Sequence, residues 1–326
     1  MTTRTPLLID CDTGIDDALA LLYAAASPEA DIVGVGCVAG NVELPHVVLN
    51  TLSVLELAGR GEFEVAAGRD APIARPLRTA ADTHGPSGLG YAELPVPRSS
   101  VGPRDAAELI IGEAVARPGE ITLVTLGPLS NVAVALQRQP ELPRYLKGLS
   151  MMVGSYRSPG NTAPTMEWNA GVDPESLSAV IKGWEAMPEA PRPQAFGLDV
   201  TERAKLTPEY LVRLATAAGS SDGAVVRFME DALRFYFEFH GQYDGFYGAF
   251  IHDALVVAAA LDPGLVRTEA LTVEVELEGR WTTGETVTDW RRAWGREPNL
   301  DIAVAADAEV FFSRFVDRVG RLAASR

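Results

Sequence analysis

The chain has 326 residues with 28 Lys plus Arg against 44 Asp plus Glu, a net charge of −16, which excludes a surface built on neutralising phosphates, so no nucleic-acid partner is expected. Its two cysteines, Cys11 and Cys37, each sit in an apolar run, as buried thiols do in a reducing compartment, and give no disulfide framework. The opening "MTTRTPLLID" has no long apolar leader segment and no stretch reaches about 18 apolar residues, so a cytoplasmic protein with no membrane partner is expected.

Short apolar runs alternate with longer amphipathic ones. "PLLID" precedes "DDALALLYAAA", "DIVGVGCVAG" precedes "PHVVLNTLSVLELAG", and "ITLVTLG" precedes "LSNVAVALQRQ". The pattern continues through "LSMMVG", "PESLSAVIKGW", "QAFGLDV" and "TPEYLVRLATAAG". Such alternation predicts an α/β fold: an open, mostly parallel, Rossmann-like sheet flanked by helices, with residues 1–326 forming a single domain. "LTVEVELEGRWTTGETV" alternates with a period of two around a glycine turn and predicts an added β-hairpin at an edge. Three stretches read as functional loops: "RTAADTHGPSGLGYAELP", "GSYRSPGNTAPTMEWNAGVDP", and the aromatic "FHGQYDGFYGAF" after a long helix.

The first strand runs into "LLIDCDTGIDDALALLY", which crowds Asp10, Asp12, Asp16 and Asp17 between strand and helix. In an open α/β sheet, ligands bind where the strand's carboxyl end meets the helix N-terminus. Asp16 and Asp17 alone would merely complement a helix macrodipole. With Asp10 and Asp12 added, the like charges raise one another's pKa, and a hard divalent cation removes the conflict. Carboxylates without a nearby Cys or His favour Ca²⁺ or Mg²⁺ over zinc. A phosphatase of the haloacid dehalogenase type also opens with a strand and Asp-x-Asp. It requires Thr or Val two residues after the second Asp, where Gly14 stands.

"DCDTGIDDALA" resembles the N-terminal signature of the inosine-uridine-type nucleoside hydrolases, Asp-x-Asp-x-Gly-x-Asp-Asp. Further matches follow in order: "VAGN" with Asn41, "THGPSGLG" with His84, and "LVTLGPLSNVAVAL". "GNTAPTMEWNAGVDPES" carries Asn161, Glu167 and Asn169, and "FIHDALVVAAALDP" carries His252 and Asp253. The resemblance spans nearly the whole chain. It implies Ca²⁺ held by Asp12, Asp17, Asp253 and the backbone carbonyl of Leu126, with the ribose 2′ and 3′ hydroxyls and a water completing the shell.

The implied reaction is hydrolysis of the N-glycosidic bond of a ribonucleoside to ribose and free base. It passes through an oxocarbenium-like sugar that needs an anionic surrounding and a well-aimed water. Asp12 would be the general base acting on a water at the metal, and His252 the group on the side of the leaving base. Asp16, Asn161, Glu167 and Asn169 would hold ribose hydroxyls, with Glu167 expected to be unpaired until a hydroxyl reaches it. Asn41 would brace the metal or its water, Asp10 would orient the loop, and His84 would ride on a closing loop.

Around the base, Tyr236, His240, Tyr243, Phe246 and Tyr247 are candidates, and the spacing of Trp281, Trp290 and Trp294 gives no sandwich. A pyrimidine or mixed preference is expected, together with a homodimer or homotetramer. The sequence departs from the family at Thr13 and Ala254, where proline is common, which bears on loop rigidity and leaves every charged group in place. Two alternatives are a calcium-dependent nucleoside- or ribose-binding protein without turnover, and the phosphatase.

Overall fold

The structure is a computed structural model describing residues 4–326; Met1, Thr2 and Thr3 of the expected 1–326 span lie outside the described residues. The first half runs β1 (Thr5–Cys11), α1 (Ile15–Ala26), β2 (Ala30–Cys37), α2 (Leu44–Leu57), β3 (Val65–Ala67), α3 (Ala81–His84), α4 (Ala106–Ala116), β4 (Thr122–Thr125), α5 (Ser130–Arg138), α6 (Leu142–Tyr145) and β5 (Gly148–Met152). There follow α7 (Trp168–Val172), α8 (Pro174–Glu185), β6 (Gln194–Phe196), α9 (Leu198–Thr201), β7 (Lys205–Leu206), α10 (Pro208–Ala218), α11 (Ala224–Tyr243), β8 (Ala249–Phe250) and α12 (Asp253–Leu261). The chain closes with β9 (Val266–Leu271), β10 (Val273–Val275), β11 (Thr286–Thr288), β12 (Leu300–Ala306) and α13 (Ala308–Ala324).

Eight strands form one sheet in the order β3-β2-β1-β4-β5-β6-β12-β9. Every neighbouring pair is parallel except β12 with β9, so the expected mostly parallel sheet is found, with one antiparallel edge. β1 is central because it is apolar on both faces: Leu7, Leu8 and Ile9 are all fully buried, as a strand covered by helices on both sides requires. The chain winds outward from β1 through β2 to β3, then restarts on the other side at β4. That reversal opens a crevice at the carboxyl ends of β1 and β4, the position at which open α/β sheets bind ligands.

The expected hairpin is present as β10 and β11, paired antiparallel from Val273 opposite Thr288 to Val275 opposite Thr286. It forms its own two-stranded sheet rather than extending the main one. The third loop is a correction. α11 continues through Phe239 to Tyr243, so the first half of "FHGQYDGFYGAF" is helical. The buried positions Leu233, Tyr236, Phe237 and His240 keep the three-to-four-residue period across the expected boundary, and packing of that face outweighs the cost of Gly241.

Two apolar layers sandwich the sheet. α1 is buried almost all round from Ile15 to Ala25, which is why it reads as nearly uniformly apolar after its two acidic residues. Its Tyr23 stacks on Phe315 at 6.0 Å, while the Tyr23 hydroxyl and Ser27 hydroxyl accept hydrogen bonds from Arg318 at 2.8 and 2.9 Å. The same guanidinium pairs with Glu29 at 2.6 Å, fastening α13 to the end of α1. Among the described residues no helix is long and apolar enough to cross a membrane.

Since α1 carries Asp16 and Asp17 and packs against α2, α11, α12 and α13, a cavity beneath it should be felt globally. Leu19 is fully buried, so Leu19→Ala is expected to lower unfolding free energy by about 2–5 kcal/mol, read as a lower urea midpoint at unchanged slope.

Candidate active site

The carboxyl end of β1 delivers Asp10 and Asp12 into the crevice, and the turn at Gly14 opens α1 with Asp16 and Asp17 in its first turn. Local hydrogen bonds fix the arrangement. Asp17 Oδ1 accepts the Asp12 backbone N–H at 3.2 Å and its Oδ2 accepts the Gly14 N–H at 2.9 Å. Asn41, just beyond β2, bonds two carboxylates at once. Its backbone N–H donates to Asp12 Oδ2 at 2.7 Å and its side-chain amide donates to Asp17 Oδ2 at 3.1 Å. The glycines here are required by proximity: a Cβ on Gly40 would stand 2.1 Å from Asp12 Oδ2, and one on Gly14 would stand 2.7 Å from His84 Nδ1.

Asp16, Asp17 and Asp253, the first residue of α12, each aim a carboxylate oxygen into one volume, all within 4.8 Å of one another and all buried. An acidic cluster of this kind is able to hold a metal ion. Asp12 stands beside this convergent set rather than within it; its Oδ1 is buried and has no hydrogen-bond partner among the described residues. The carboxyls of Asp12, Asp16 and Asp253 are pushed well above their usual range, first by burial and then by neighbouring carboxylates, chiefly Asp17 for Asp12 and Asp16, and Asp16 for Asp253. No basic side chain is among the principal influences on Asp253: the charges acting on it are those of Asp16, Asp17, Asp12 and Glu167. Asp10 is pushed up to about 7 by burial, with the Asn131 amide at 2.8 Å opposing the shift.

The remaining expected residues gather around the same crevice. Glu167 is not unpaired, which corrects the expectation: it caps α7 and accepts backbone N–H groups of Asn169 at 2.7 Å, Ala170 at 3.0 Å and Gly154 at 2.8 Å. Those donors favour the charged form, yet burial holds its pKa above the ordinary value. A carboxylate has about four lone-pair directions, so one acceptor position is still left for a hydroxyl. Asn169 donates its amide hydrogens to the carbonyls of Leu126 at 2.7 Å and Met152 at 3.0 Å, joining the ends of β4 and β5. Asn161 is exposed on the cavity rim, where its side-chain oxygen accepts the Trp168 N–H at 3.0 Å.

Asp16, Asn41, His84, Leu126, Asn161, Glu167, Asn169, His240, His252 and Asp253 all line one cavity of about 560 Å³. Three histidines share it, each held differently. His84 Nδ1 accepts the Ile15 N–H at 3.1 Å, so the loop that carries it is tied to the start of α1. His252 Nδ1 lies 2.8 Å from the Thr201 hydroxyl. Burial pushes both rings down to about 3, so both are neutral near physiological pH. His240 Nδ1 lies 2.6 Å from the Asp244 carboxylate.

On the aromatic side, Tyr236 and Tyr243 line the cavity, whereas Phe246 and Tyr247 are not on its wall. Phe239, Phe250 and Trp168 line it and went unrecognised in the sequence. Trp168 lies inside the quoted "MEWN", between two residues chosen for polarity, and Arg78 covers its ring at 5.8 Å. Thr201 and Asn131 were also missed, since a hydroxyl or amide far along the chain carries no local signal. None of Trp281, Trp290 and Trp294 reaches the cavity.

Comparison with known proteins agrees with this geometry. A sequence profile of the family described as inosine-uridine preferring nucleoside hydrolase matches residues 7–313. The chain is 33% identical over 319 residues to the inosine-uridine preferring nucleoside hydrolase of Crithidia fasciculata, covering 97% of this chain and 98% of that protein. It is 35% identical over 315 residues to the pyrimidine-specific ribonucleoside hydrolase RihA of Citrobacter koseri, covering 96% and 97%. Among solved structures, the purine-preferring ribonucleoside hydrolase from Gardnerella vaginalis superposes with a TM-score of 0.91 at 29% identity, covering 99% of this chain and 100% of that one. The match across nearly the whole chain, with the acidic crevice in place, leaves the phosphatase reading without support: the chain belongs to the inosine-uridine preferring nucleoside hydrolase family.

Proposed function

We propose that this nucleoside hydrolase binds Ca²⁺ at the end of β1 and cleaves its substrate with Asp12 as general base. The observation that carries the reading is the convergence of the buried carboxylates of Asp16, Asp17 and Asp253, beside an Asp12 oxygen that has no hydrogen-bond partner among the described residues. An all-oxygen donor set suits a hard cation, and the number of carboxylates suits Ca²⁺ better than Mg²⁺, which keeps more of its own water. Asp17 and Asp253, two of the three converging carboxylates, would hold it together with Asp12 and the Leu126 carbonyl, the two positions that the family resemblance adds, while Asp16 would face the ribose. That carbonyl has a second lone pair beyond the one facing Asn169. When bound, the cation would neutralise the cluster and make a neighbouring water easier to deprotonate.

The protein's own groups then divide the work. Asp12 takes a proton from the attacking water through Oδ1, while Asn41 holds its other oxygen still. Asp16, Glu167, Asn169 and Asn161 receive ribose hydroxyls, and the surrounding negative charge favours the oxocarbenium-like sugar. His252 lies against the departing base. If Thr201 gives its hydrogen to Nδ1 at 2.8 Å, the other ring nitrogen carries an N–H to offer. Residues 1–326 would act as one unit in the cytoplasm, as a homodimer or homotetramer.

Asp12→Asn should remove the base while keeping the side chain's shape. It is expected to lower kcat for ribose release by at least about 10²-fold at saturating Ca²⁺ and nucleoside. A protein that binds nucleoside without turnover would instead show nucleoside-dependent thermal stabilisation and no ribose from the unaltered chain.

The metal assignment has a readout apart from activity. The folded carboxyls of Asp12, Asp16 and Asp253 lie well above their unfolded values, so the metal-free fold binds more protons than the unfolded chain. Their contribution to stability is therefore fully present below about pH 4, near the unfolded carboxyl pKa, and is lost as pH rises through the folded values, whereas the buried neutral rings of His84 and His252 act in the opposite direction in acid. With chelator present, the melting temperature contributed by these groups should decline from acid to neutral pH. Added Ca²⁺ should raise it increasingly over the same span, and a Ca²⁺ effect independent of pH would count against these ligands.

A further inference from the structure

Along the carboxyl edge of the sheet, β1 brings Asp12, β4 the Leu126 carbonyl and β5 Met152, and the next strand, β6, leads through α9 to Glu202. Glu202 lines the cavity together with Tyr236, Phe239, His240, Tyr243 and Phe250, the aromatic wall available to a base. Its surroundings act on it through burial and charge alone. Burial and then the carboxylates of Asp244 and Asp199 push its pKa up to about 7, and Lys205 opposes the shift. The Lys205 ammonium lies over the rings of Phe246 and Phe250, at 4.8 and 5.4 Å, and makes no ion pair with Glu202 among the described residues.

The two neighbouring acids are committed elsewhere. Asp199 accepts the backbone N–H groups of Tyr156, Arg157 and Ser158 at 2.8, 2.7 and 3.0 Å, and Asp244 meets His240 Nδ1 at 2.6 Å. Glu202 is therefore the carboxyl left for a ligand at this end. Its backbone is fixed: its N–H donates to the Leu198 carbonyl at 3.1 Å, and the preceding Thr201 hydroxyl is tied to the Gly197 carbonyl at 3.2 Å and to His252 at 2.8 Å. His240 Nε2, in the same wall, is buried and also has no hydrogen-bond partner among the described residues. This end of the cavity thus presents polar atoms on a fixed frame to whatever enters it.

We propose that Glu202 is a specificity-determining residue that accepts a hydrogen bond from an amino group on the base, so that aminated bases are preferred to their oxo counterparts. This deepens the hydrolase reading and rests on it. Cytosine and uracil differ at one edge position, where cytosine carries the N4 amino donor and uracil the O4 acceptor. An ionised carboxylate only accepts. It meets the amino group with a charge-assisted hydrogen bond, whereas a base carbonyl would set oxygen against oxygen in a half-buried place where an unpaired polar group is costly. Adenine and hypoxanthine repeat the contrast, so the discrimination follows the amino group and not the ring size.

The test measures kcat/KM by ribose release from cytidine, uridine, adenosine and inosine with saturating Ca²⁺ at about pH 8.5, where a carboxyl of this pKa is ionised. The unaltered protein should favour cytidine over uridine, and adenosine over inosine, by about tenfold or more, the scale of one hydrogen bond to a charged group. Glu202→Gln, whose amide both donates and accepts, should bring each ratio to within about threefold of unity, by losing the amino nucleosides and gaining the oxo ones. Glu202→Ala should also level the ratios, by loss of the amino nucleosides alone. The near-isosteric Gln variant carries the test if the Ala variant fails to fold.

Ribose release with no preference for the amino nucleosides would overturn the assignment while leaving the hydrolase reading intact. So would ratios that survive in Glu202→Gln, including a loss shared equally by all four nucleosides, which is what a merely structural side chain would give. If the unaltered protein releases ribose from none of the four, the hydrolase reading itself fails and the proposal falls with it.

Discussion

The organising constraint is the burial of several carboxylates at the carboxyl end of the central strand. Each of Asp10, Asp12, Asp16, Asp17 and Asp253 is nearly or wholly out of solvent. Ionised, each would carry a desolvation cost of several kcal/mol unless compensated. Hydrogen bonds from Asn41, Gly14 and Asn131 answer part of it, and only part, since among the described residues oxygens of Asp10 and Asp12 are left without partners. The rest of the site follows from making room for something positive. Gly14 and Gly40 are bare so that side-chain nitrogens and oxygens approach closely, and loops after β1, β2 and β4 close round one point.

The topology places further electrostatic support there. α1 and α12 begin at the crevice with Asp16, Asp17 and Asp253 in their first turns, where the positive end of the helix dipole favours a carboxylate. Glu167 caps α7 at the same place and takes three backbone N–H groups. The capping bonds hold the side chain in place on the cavity wall. Such rigidity suits a site in which small displacements of the base or the water are costly.

The cavity is divided by chemistry. One side is made of strand ends and helix starts and is acidic; the other comes from α11 and β8 and is aromatic, with His240 set among Tyr236, Phe239 and Phe250. Relatives described as pyrimidine-specific and as purine-preferring share this chain's sequence or fold over nearly its whole length. The sheet and its acidic end therefore do not by themselves set which base is accepted.

The sequence by itself determined the α/β class, the parallel sheet, the hairpin and the gathering of acidic residues where β1 meets α1. Strand alternation and a run such as "DCDTGIDDALA" are local, and their consequences follow from backbone period and charge alone. It also carried His84, Glu167, Asn169 and His252, because these lie in short runs quoted whole. Only the tertiary structure decided that Glu167 is already bonded, that α11 extends to carry His240 into the wall, and that Trp168, Thr201 and Asn131 belong to the site. The reason is physical. Asp10 and Asn131 are 121 residues apart and His252 and Thr201 are 51 apart, so each pair exists only once the sheet order sets their strands and helices side by side.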